Sequence, residues 1–261
     1  MQTIIRNSLI SHQGISKLLD LPRDDLVYVS LLEILTRFQD IKKFASEIHT
    51  EIHLIKPILK ILGFAYESKP KYFDENIKGP DVALFTNELE RDRTSSLWGT
   101  PDYYARTLGV LLLKRFGRNL EAGVSGFFLQ FENGIPLYQL FYFLKNTKTP
   151  WGILTNGKHW MLMKKPLSYE TRVFSIDLEE AVQTHDRDAL HLFCNIFSLN
   201  GLSQTLGELY EDERQTMITR LQNKRTALHS TTAGFKKRTD IYPRIVGGLS
   251  DIFGNDVFTS T

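Results

Sequence analysis

Residues 109–114 have the sequence Gly109-Val110-Leu111-Leu112-Leu113-Lys114, a compact apolar run that ends in a base. A short continuous apolar run of this kind is typical of a fully buried strand. A second run, Asp81 to Phe85, starts with an acid. A third, Trp151 to Thr155, is followed by Asn156-Gly157, a strong hairpin signal, and by a returning strand from Lys158 to Lys164. These runs predict buried strands in an α/β protein.

Helical patterns surround these strands. The strongest covers residues 41–62, where apolar residues recur at intervals of three and four and predict one buried stripe: Phe44, Ile48, Ile52, Ile55, Leu59 and Leu62. Pro57 predicts a kink or a break inside it, and Gly63 predicts its end. Further helices are expected over residues 136–146, 178–183, 187–197 and 204–229. Because the strands stop near residue 200, we expect a domain over residues 1–200 and a helical connector or extension over 201–261.

The composition excludes several classes of protein. The 17 Phe, 10 Tyr and 3 Trp supply too much core material for a disordered chain. No apolar run approaches the roughly 20 residues that span a bilayer, and residues 1–6 lack the apolar stretch of a signal peptide. A single cysteine, Cys194, cannot form an internal disulfide. We expect a cytoplasmic protein without a membrane partner.

Charge is unevenly distributed along the chain. The net charge is only +2, but residues 101–170 carry nine Lys and Arg against four Asp and Glu, an excess of five positive charges. Such an excess favours polyanions through counterion release and electrostatic steering. A solvated basic face with no ligand remains the alternative.

Common catalytic motifs are missing from the sequence. It contains no P-loop, G-x-G-x-x-G, H-E-x-x-H or G-x-S-x-G pattern. Ser125, in Gly123-Val124-Ser125-Gly126, is one glycine short of the spacing of a nucleophile elbow. His49 and His53 are four residues apart and could bind a metal, but an exposed helix face is the preferred interpretation because a third ligand is lacking.

Three charged residues stand beside the apolar runs. Glu51 lies between Ile48 and Ile55 on the predicted helix, where a partly desolvated carboxylate needs a partner. Asp81 starts one buried strand and Lys114 ends another. Such a group can hold a divalent cation and a water molecule. The alternative is that each charge simply reaches solvent at the end of its element.

The sequence resembles a known family of nucleases. It is similar to the N-terminal nuclease domain of fused type IIG restriction–modification enzymes, with kinship to the nuclease domains of type I motor subunits, all members of the PD-(D/E)xK superfamily. The resemblance spans roughly residues 45–200 and rests on the order of five segments: 50–64, Pro80 to Phe85, Lys114 to Leu120, Tyr138 to Leu144 and Trp151 to Trp160.

The resemblance implies a restriction-endonuclease-like fold, with a mixed central sheet flanked by helices, and a Mg²⁺-dependent DNA endonuclease. Asp81 matches the metal-binding aspartate, Lys114 the catalytic lysine, and Glu51 the helix glutamate that completes the metal site. Mg²⁺ suits this chemistry because it prefers oxygen ligands and polarises a phosphate. The expected partner is double-stranded DNA, held through basic and polar side chains: Arg115, Arg118, Gln139, Lys145, Lys148 and Lys158.

Two features depart from the family. The family has Glu or Asp two residues before the lysine, whereas this chain has Leu112, which cannot bind a metal. Pro101-Asp102, a second Pro-Asp pair, stands in a helical context and is the weaker match. The chain also has no adenine-methyltransferase motif, so we expect a separate nuclease-like subunit or a fragment, with a methyltransferase or specificity subunit as a candidate partner.

Three interpretations of the function therefore stay open. The first is an Mg²⁺-dependent endonuclease, impaired by Leu112. The second is a catalytically inactive DNA-binding or assembly module of a restriction–modification or phage-defence system. The third is an α/β scaffold unrelated to DNA.

Overall fold

The computed structural model describes residues 4–122, 134–166 and 172–232 of the 261-residue chain. Ser125 lies outside these residues, as does part of the loop-rich stretch around it. The chain divides into two compact units, residues 1–209 and residues 210–261. The predicted C-terminal extension is described only as far as residue 232. Within the described ranges, the helices are all too short or too polar to cross a membrane.

A seven-stranded mixed sheet forms the centre of the first unit, with the spatial order β1-β7-β6-β5-β4-β3-β2. Its strands are β1 Ile5–Asn7, β2 Ala65–Ser68, β3 Val82–Phe85, β4 Gly109–Leu113, β5 Trp151–Thr155, β6 His159–Lys164 and β7 Val173–Asp177. Strands β4 and β5 are parallel, and every other neighbouring pair is antiparallel. The mixed sheet confirms the predicted α/β class.

Helices flank the sheet. They are α1 His12–Leu19, α2 Asp25–Gln39, α3 Glu47–Thr50, α4 Lys56–Ile61, α5 Glu88–Thr94, α6 Pro101–Ala105, α7 Pro136–Asn146, α8 Leu178–Gln183, α9 Arg187–Phe197 and α10 Leu206–Thr232. Helix α7 provides the crossover between the parallel strands β4 and β5. Helix α7 packs so closely on β5 that a Cβ atom built on Gly152 would lie only 2.7 Å from the Leu140 side chain.

The two faces of the sheet bury different side chains. On one face Val110, Leu112 and Leu154 pack with Leu140 and Phe143 of α7. On the other face the Trp160 ring packs against aromatic rings of α9, with centroids 5.2 Å from Phe193 and 5.7 Å from Phe197. Successive side chains of a strand point to opposite faces of the sheet, so the two faces bury different sets of residues.

The single buried stripe predicted for residues 41–62 is wrong. Phe44, Ile48 and Ile52 are 86%, 58% and 49% exposed, whereas Ile55 and Leu59, later in the same predicted stripe, are fully buried. Phe44 lies in a separate 3-10 turn, Lys42–Phe44, which ends at the extended Ala45 before α3 begins. Within the helix the cause is a π-helical turn, Glu51–Ile55, between α3 and α4, in which the Lys56 N–H donates to the Glu51 carbonyl oxygen. A π turn holds an additional residue, so the apolar stripe changes face there.

Pro57 gives a physical reason for the π turn. In a regular α-helix its ring would crowd the carbonyl group four residues earlier, and it has no N–H to donate. Pro57 instead lies in the first turn of α4, directly after the widened turn, where its missing N–H is tolerated.

Candidate functional site

Sheet topology brings Asp81 and Lys114 to the same edge. Strand β3 is antiparallel to β4, so the start of β3 lies beside the end of β4. Asp81 immediately precedes β3, and its N–H donates to the Leu111 carbonyl oxygen over 3.0 Å. Lys114 immediately follows β4, and its N–H donates to the carbonyl oxygen of Thr155 at the end of the parallel strand β5, over 2.9 Å.

The Asp81 carboxylate is buried and fixed in place. Its Oδ2 accepts a hydrogen bond of 2.7 Å from the Leu113 N–H, and its Oδ1 lies 3.9 Å from the Lys78 ammonium. Burial nevertheless raises the pKa of Asp81, against the lowering effects of the Leu113 N–H and of the Lys78 and Lys114 charges. The folded protein therefore holds a carboxylate whose charge is incompletely compensated.

Lys114 is buried and directly follows Leu113, whose N–H binds this carboxylate. Burial lowers the pKa of its ammonium group, while the charges of Asp81 and Glu47 oppose that effect. Arg118 and Lys78 lower the pKa of Lys114 further. A desolvated acid and a desolvated base that act on each other at a sheet edge are typical of functional sites.

Glu47, at the start of α3, is a helical carboxylate whose charge affects both Asp81 and Lys114. Its charge raises the pKa values of Asp81 and Lys114. The sequence-predicted Glu51 is buried one turn further on, where its Oε1 pairs with the Lys56 ammonium at 3.0 Å. Glu47 was missed by the sequence analysis, although its position four residues before Glu51 and directly after the N-cap Ser46 could have indicated it.

Two contacts hold this helix against the sheet edge. The Thr50 hydroxyl accepts a hydrogen bond from the Phe116 N–H, over 3.3 Å, in the loop that follows Lys114. Gly157, in the turn between β5 and β6, has a φ of +82°, and a Cβ built on it would lie 2.5 Å from Leu54 and 3.3 Å from Thr50. The close approach requires glycine at this turn.

Leu112 lies between the two backbone groups that bond Asp81, the Leu111 carbonyl and the Leu113 N–H. Its side chain is 3% exposed and belongs to the core cluster that includes Ala83 and Leu140. The position where the nuclease family has a metal-binding acid is therefore filled here by an apolar side chain packed in the core.

The predicted DNA-binding residues fall in different environments. Arg115 is exposed next to Lys114. Arg118 is half-buried, and its Nη2 atom is buried without a hydrogen-bond partner among the described residues. An unsatisfied buried donor of this kind costs about 1–3 kcal/mol, which an anionic acceptor would recover.

The remaining predicted contacts lie further along the chain. The Lys158 ammonium lies 3.4 Å from Asp177 and 3.6 Å from Glu179, in a cluster of ion pairs. Gln139 is buried on α7, where its amide reaches the Gly134 carbonyl oxygen at 3.5 Å. Lys145 and Lys148 are exposed at and beyond the end of α7.

Mg²⁺ is the metal ion that the resemblance implies for this site. In the parts of the chain that the structure describes, no three His, Cys, Asp or Glu residues are arranged to hold a metal ion. Mg²⁺ commonly keeps several water ligands and uses only one or two carboxylates together with substrate phosphates. Asp81, a buried carboxylate that lies 3.9 Å from the Lys78 ammonium and whose raised pKa a cation would lower, fits the requirement for one such carboxylate.

Comparison with known proteins found no matching family model, no similar curated protein and no similar solved structure. The likeness to PD-(D/E)xK nucleases consequently remains a prediction from the sequence motifs.

Proposed function

We propose that this protein is a restriction-endonuclease-like domain that hydrolyses DNA phosphodiesters with Mg²⁺, at a rate reduced by Leu112. The observation that carries the proposal is the placement of the buried Asp81 and Lys114 at adjoining strand ends, where the N–H of Leu113, the residue before Lys114, donates to the Asp81 carboxylate. Burial alone disfavours both charges, so a fold that retains this pair away from a ligand sacrifices stability.

Each residue has a role that follows from its chemistry. Mg²⁺ held by Asp81, with Glu47 or Glu51 as the helical carboxylate, would polarise the scissile phosphate. Lys114 places an ammonium group beside the same phosphate and stabilises the charge that develops on it. Arg115 and Arg118, whose Nη2 has no hydrogen-bond partner within the described ranges, bind neighbouring phosphates.

The test is Mg²⁺-dependent cleavage of mixed-sequence duplex DNA by the wild type, by Asp81→Asn and by Lys114→Met. Asp102→Asn is the matched control, since Asp102 belongs to the other Pro-Asp pair and is exposed on α6. We expect slow wild-type cleavage that is lost in the first two variants and kept in the control. Cleavage that survives Asp81→Asn would show that the site is elsewhere.

A second candidate function is a catalytically inactive DNA-binding or assembly module. The core packing of Leu112 favours it, because a metal then lacks one of the usual carboxylates. DNA binding that falls steeply with salt, without cleavage by the wild type, would identify this function. Failure to bind DNA at low salt would leave only the scaffold interpretation.

A partner protein is also expected under either function, because the resemblance is to the nuclease portion of larger restriction–modification systems. We propose a methyltransferase or specificity subunit as that partner. Co-purification of the full chain with the products of neighbouring genes tests the proposal, and a chain that purifies alone would oppose it.

A further inference from the structure

A groove with an exposed aromatic side chain adjoins the Asp81 and Lys114 pair. It has a volume of about 460 Å³ and is lined by Lys43, Phe44, Ala45, Ser46, Glu47 and Arg115. Glu47 also acts electrostatically on Asp81 and Lys114, and Arg115 directly follows Lys114. The groove is therefore lined by two residues, Glu47 and Arg115, that also adjoin or act on the candidate site.

Phe44 is strongly exposed although its backbone is fixed. The Phe44 N–H donates to the Ile41 carbonyl oxygen over 3.0 Å, and the Ala45 N–H donates to the Lys42 carbonyl oxygen over 3.3 Å. On one side the Lys42 ammonium pairs with Glu179 at 2.8 Å, and on the other Ser46 caps α3. The ring is thus held in solvent by an ordered backbone, an arrangement that reduces the entropy lost on binding.

The charged residues around the Phe44 ring indicate which kind of ligand the groove binds. Lys43 and Arg115 line the groove together with Phe44 and are both exposed, and Glu47 is the one acid among the lining residues. An exposed aromatic ring in a groove with two cations matches a nucleic-acid strand, whose phosphates meet the cations while a base stacks on the ring.

We propose that this groove binds an unpaired nucleotide of a DNA strand, with its base stacked on Phe44 and its phosphates held by Lys43 and Arg115. This inference rests on the proposed DNA function and adds the kind of substrate to it. Inside a duplex the base faces are covered by their neighbours, so stacking on the Phe44 ring favours a single strand over an intact duplex.

The test measures binding by the full-length protein without divalent cations, so that cleavage does not interfere. The probes are a labelled single-stranded mixed-sequence DNA of about 16 nucleotides and its duplex. We expect Phe44→Ala to weaken single-strand binding about tenfold while duplex binding changes by less than about twofold. Phe44→Trp should retain single-strand affinity, and Tyr138→Ala, at an exposed aromatic on α7, is the matched control.

Several outcomes would overturn the inference. They are an unchanged single-strand affinity in Phe44→Ala, an equal loss of duplex affinity, or an equal effect of Tyr138→Ala. A concentration-dependent wild-type dimer that Phe44→Ala abolishes would assign the groove to a second copy of the chain. Asp81-dependent cleavage is measured separately, so the nuclease proposal can fail while the stacking result stands, or the reverse.

Discussion

The Asp81 carboxylate accepts a 2.7 Å hydrogen bond from the main-chain N–H of Leu113, the residue immediately before Lys114. This bond ties the acid at the start of one strand to the base at the end of its neighbour. It favours the ionised carboxylate, yet burial has the larger effect and raises the pKa of Asp81. The hydrogen bond therefore fixes the position of the Asp81 carboxylate, while the nearby positive charges compensate its negative charge only in part.

Replacement of Asp81 by Asn should stabilise the protein at neutral pH. The Asn oxygen can still accept from the Leu113 N–H, and the buried carboxylate charge is removed, while the buried Lys114 ammonium loses a favourable neighbour, so we expect a net gain of about 0.5–1 kcal/mol. Because the folded state binds the Asp81 proton more tightly than the unfolded state does, the wild type gains stability relative to Asp81→Asn as the pH falls through the raised pKa. Urea unfolding of both proteins between neutral and acidic pH measures this difference.

The same comparison carries an independent control. Added Mg²⁺ should stabilise the wild type and not Asp81→Asn, because only the wild type offers the carboxylate. An Asn variant that is less stable than the wild type throughout this pH range would show that the buried charge is already compensated.

Introduction of an acid at Leu112 should strengthen metal binding at the expense of stability. Leu112→Glu places a carboxylate in the core beside Asp81, so we expect a loss of about 2–4 kcal/mol without Mg²⁺ and partial recovery with it. Mg²⁺-dependent DNA cleavage should rise above the wild-type rate. Leu112→Gln is the matched control, since it adds a polar group of the same shape without the charge.

Robust wild-type cleavage that depends on Asp81 would retain the site but contradict the role given to Leu112. Equal recovery of Leu112→Glu and Leu112→Gln by Mg²⁺ would show that the new carboxylate does not reach the cation.

The two acids of the α3 region should differ in their response to substitution. We expect Glu47→Gln to reduce the stabilisation by Mg²⁺, because the Glu47 charge acts on Asp81 and Lys114. We expect Glu51→Gln to retain most of it and to lower the stability by about 1 kcal/mol through loss of the partly exposed Lys56 pair. Melting temperatures across a Mg²⁺ titration test both. A larger effect of Glu51→Gln would assign the helical carboxylate as the sequence predicted.

Gly157 should be sensitive to the smallest substitution. Gly157→Ala forces an alanine into a positive φ and brings its Cβ to 2.5 Å from Leu54, so we expect a loss of about 2–4 kcal/mol. Gly117→Ala is the control, because Gly117 has a φ of +73° but no atom within 4 Å of a built Cβ, and should cost about 1 kcal/mol. Chemical denaturation compares them, and equal losses would mean that packing against Leu54 contributes nothing.

The sequence predicted the central strands well because their signals are local, whereas β1, in a stretch interpreted as helical, was missed. Continuous apolar runs at residues 82–85, 109–113 and 151–155 became buried strands, and Asn156-Gly157 became the turn between β5 and β6. Asp81 and Lys114 were recognisable for the same reason, since each directly adjoins such a run. The single apolar stripe from Phe44 to Leu62 was predicted wrongly, because the chain is extended at Ala45 and a π turn follows at Glu51–Ile55, so no regular helical repeat runs through it.

The sequence alone determined that this chain builds an α/β sheet with an acid before one strand and a base after another. Only the tertiary structure decided that these ends meet, because the antiparallel pairing of β3 with β4 sets the direction of each strand. It also decided that the Glu47 charge acts on that pair while Glu51 binds Lys56. The physical reason is the phase of the helix, which depends on a π turn before Pro57 and on close packing against Gly157.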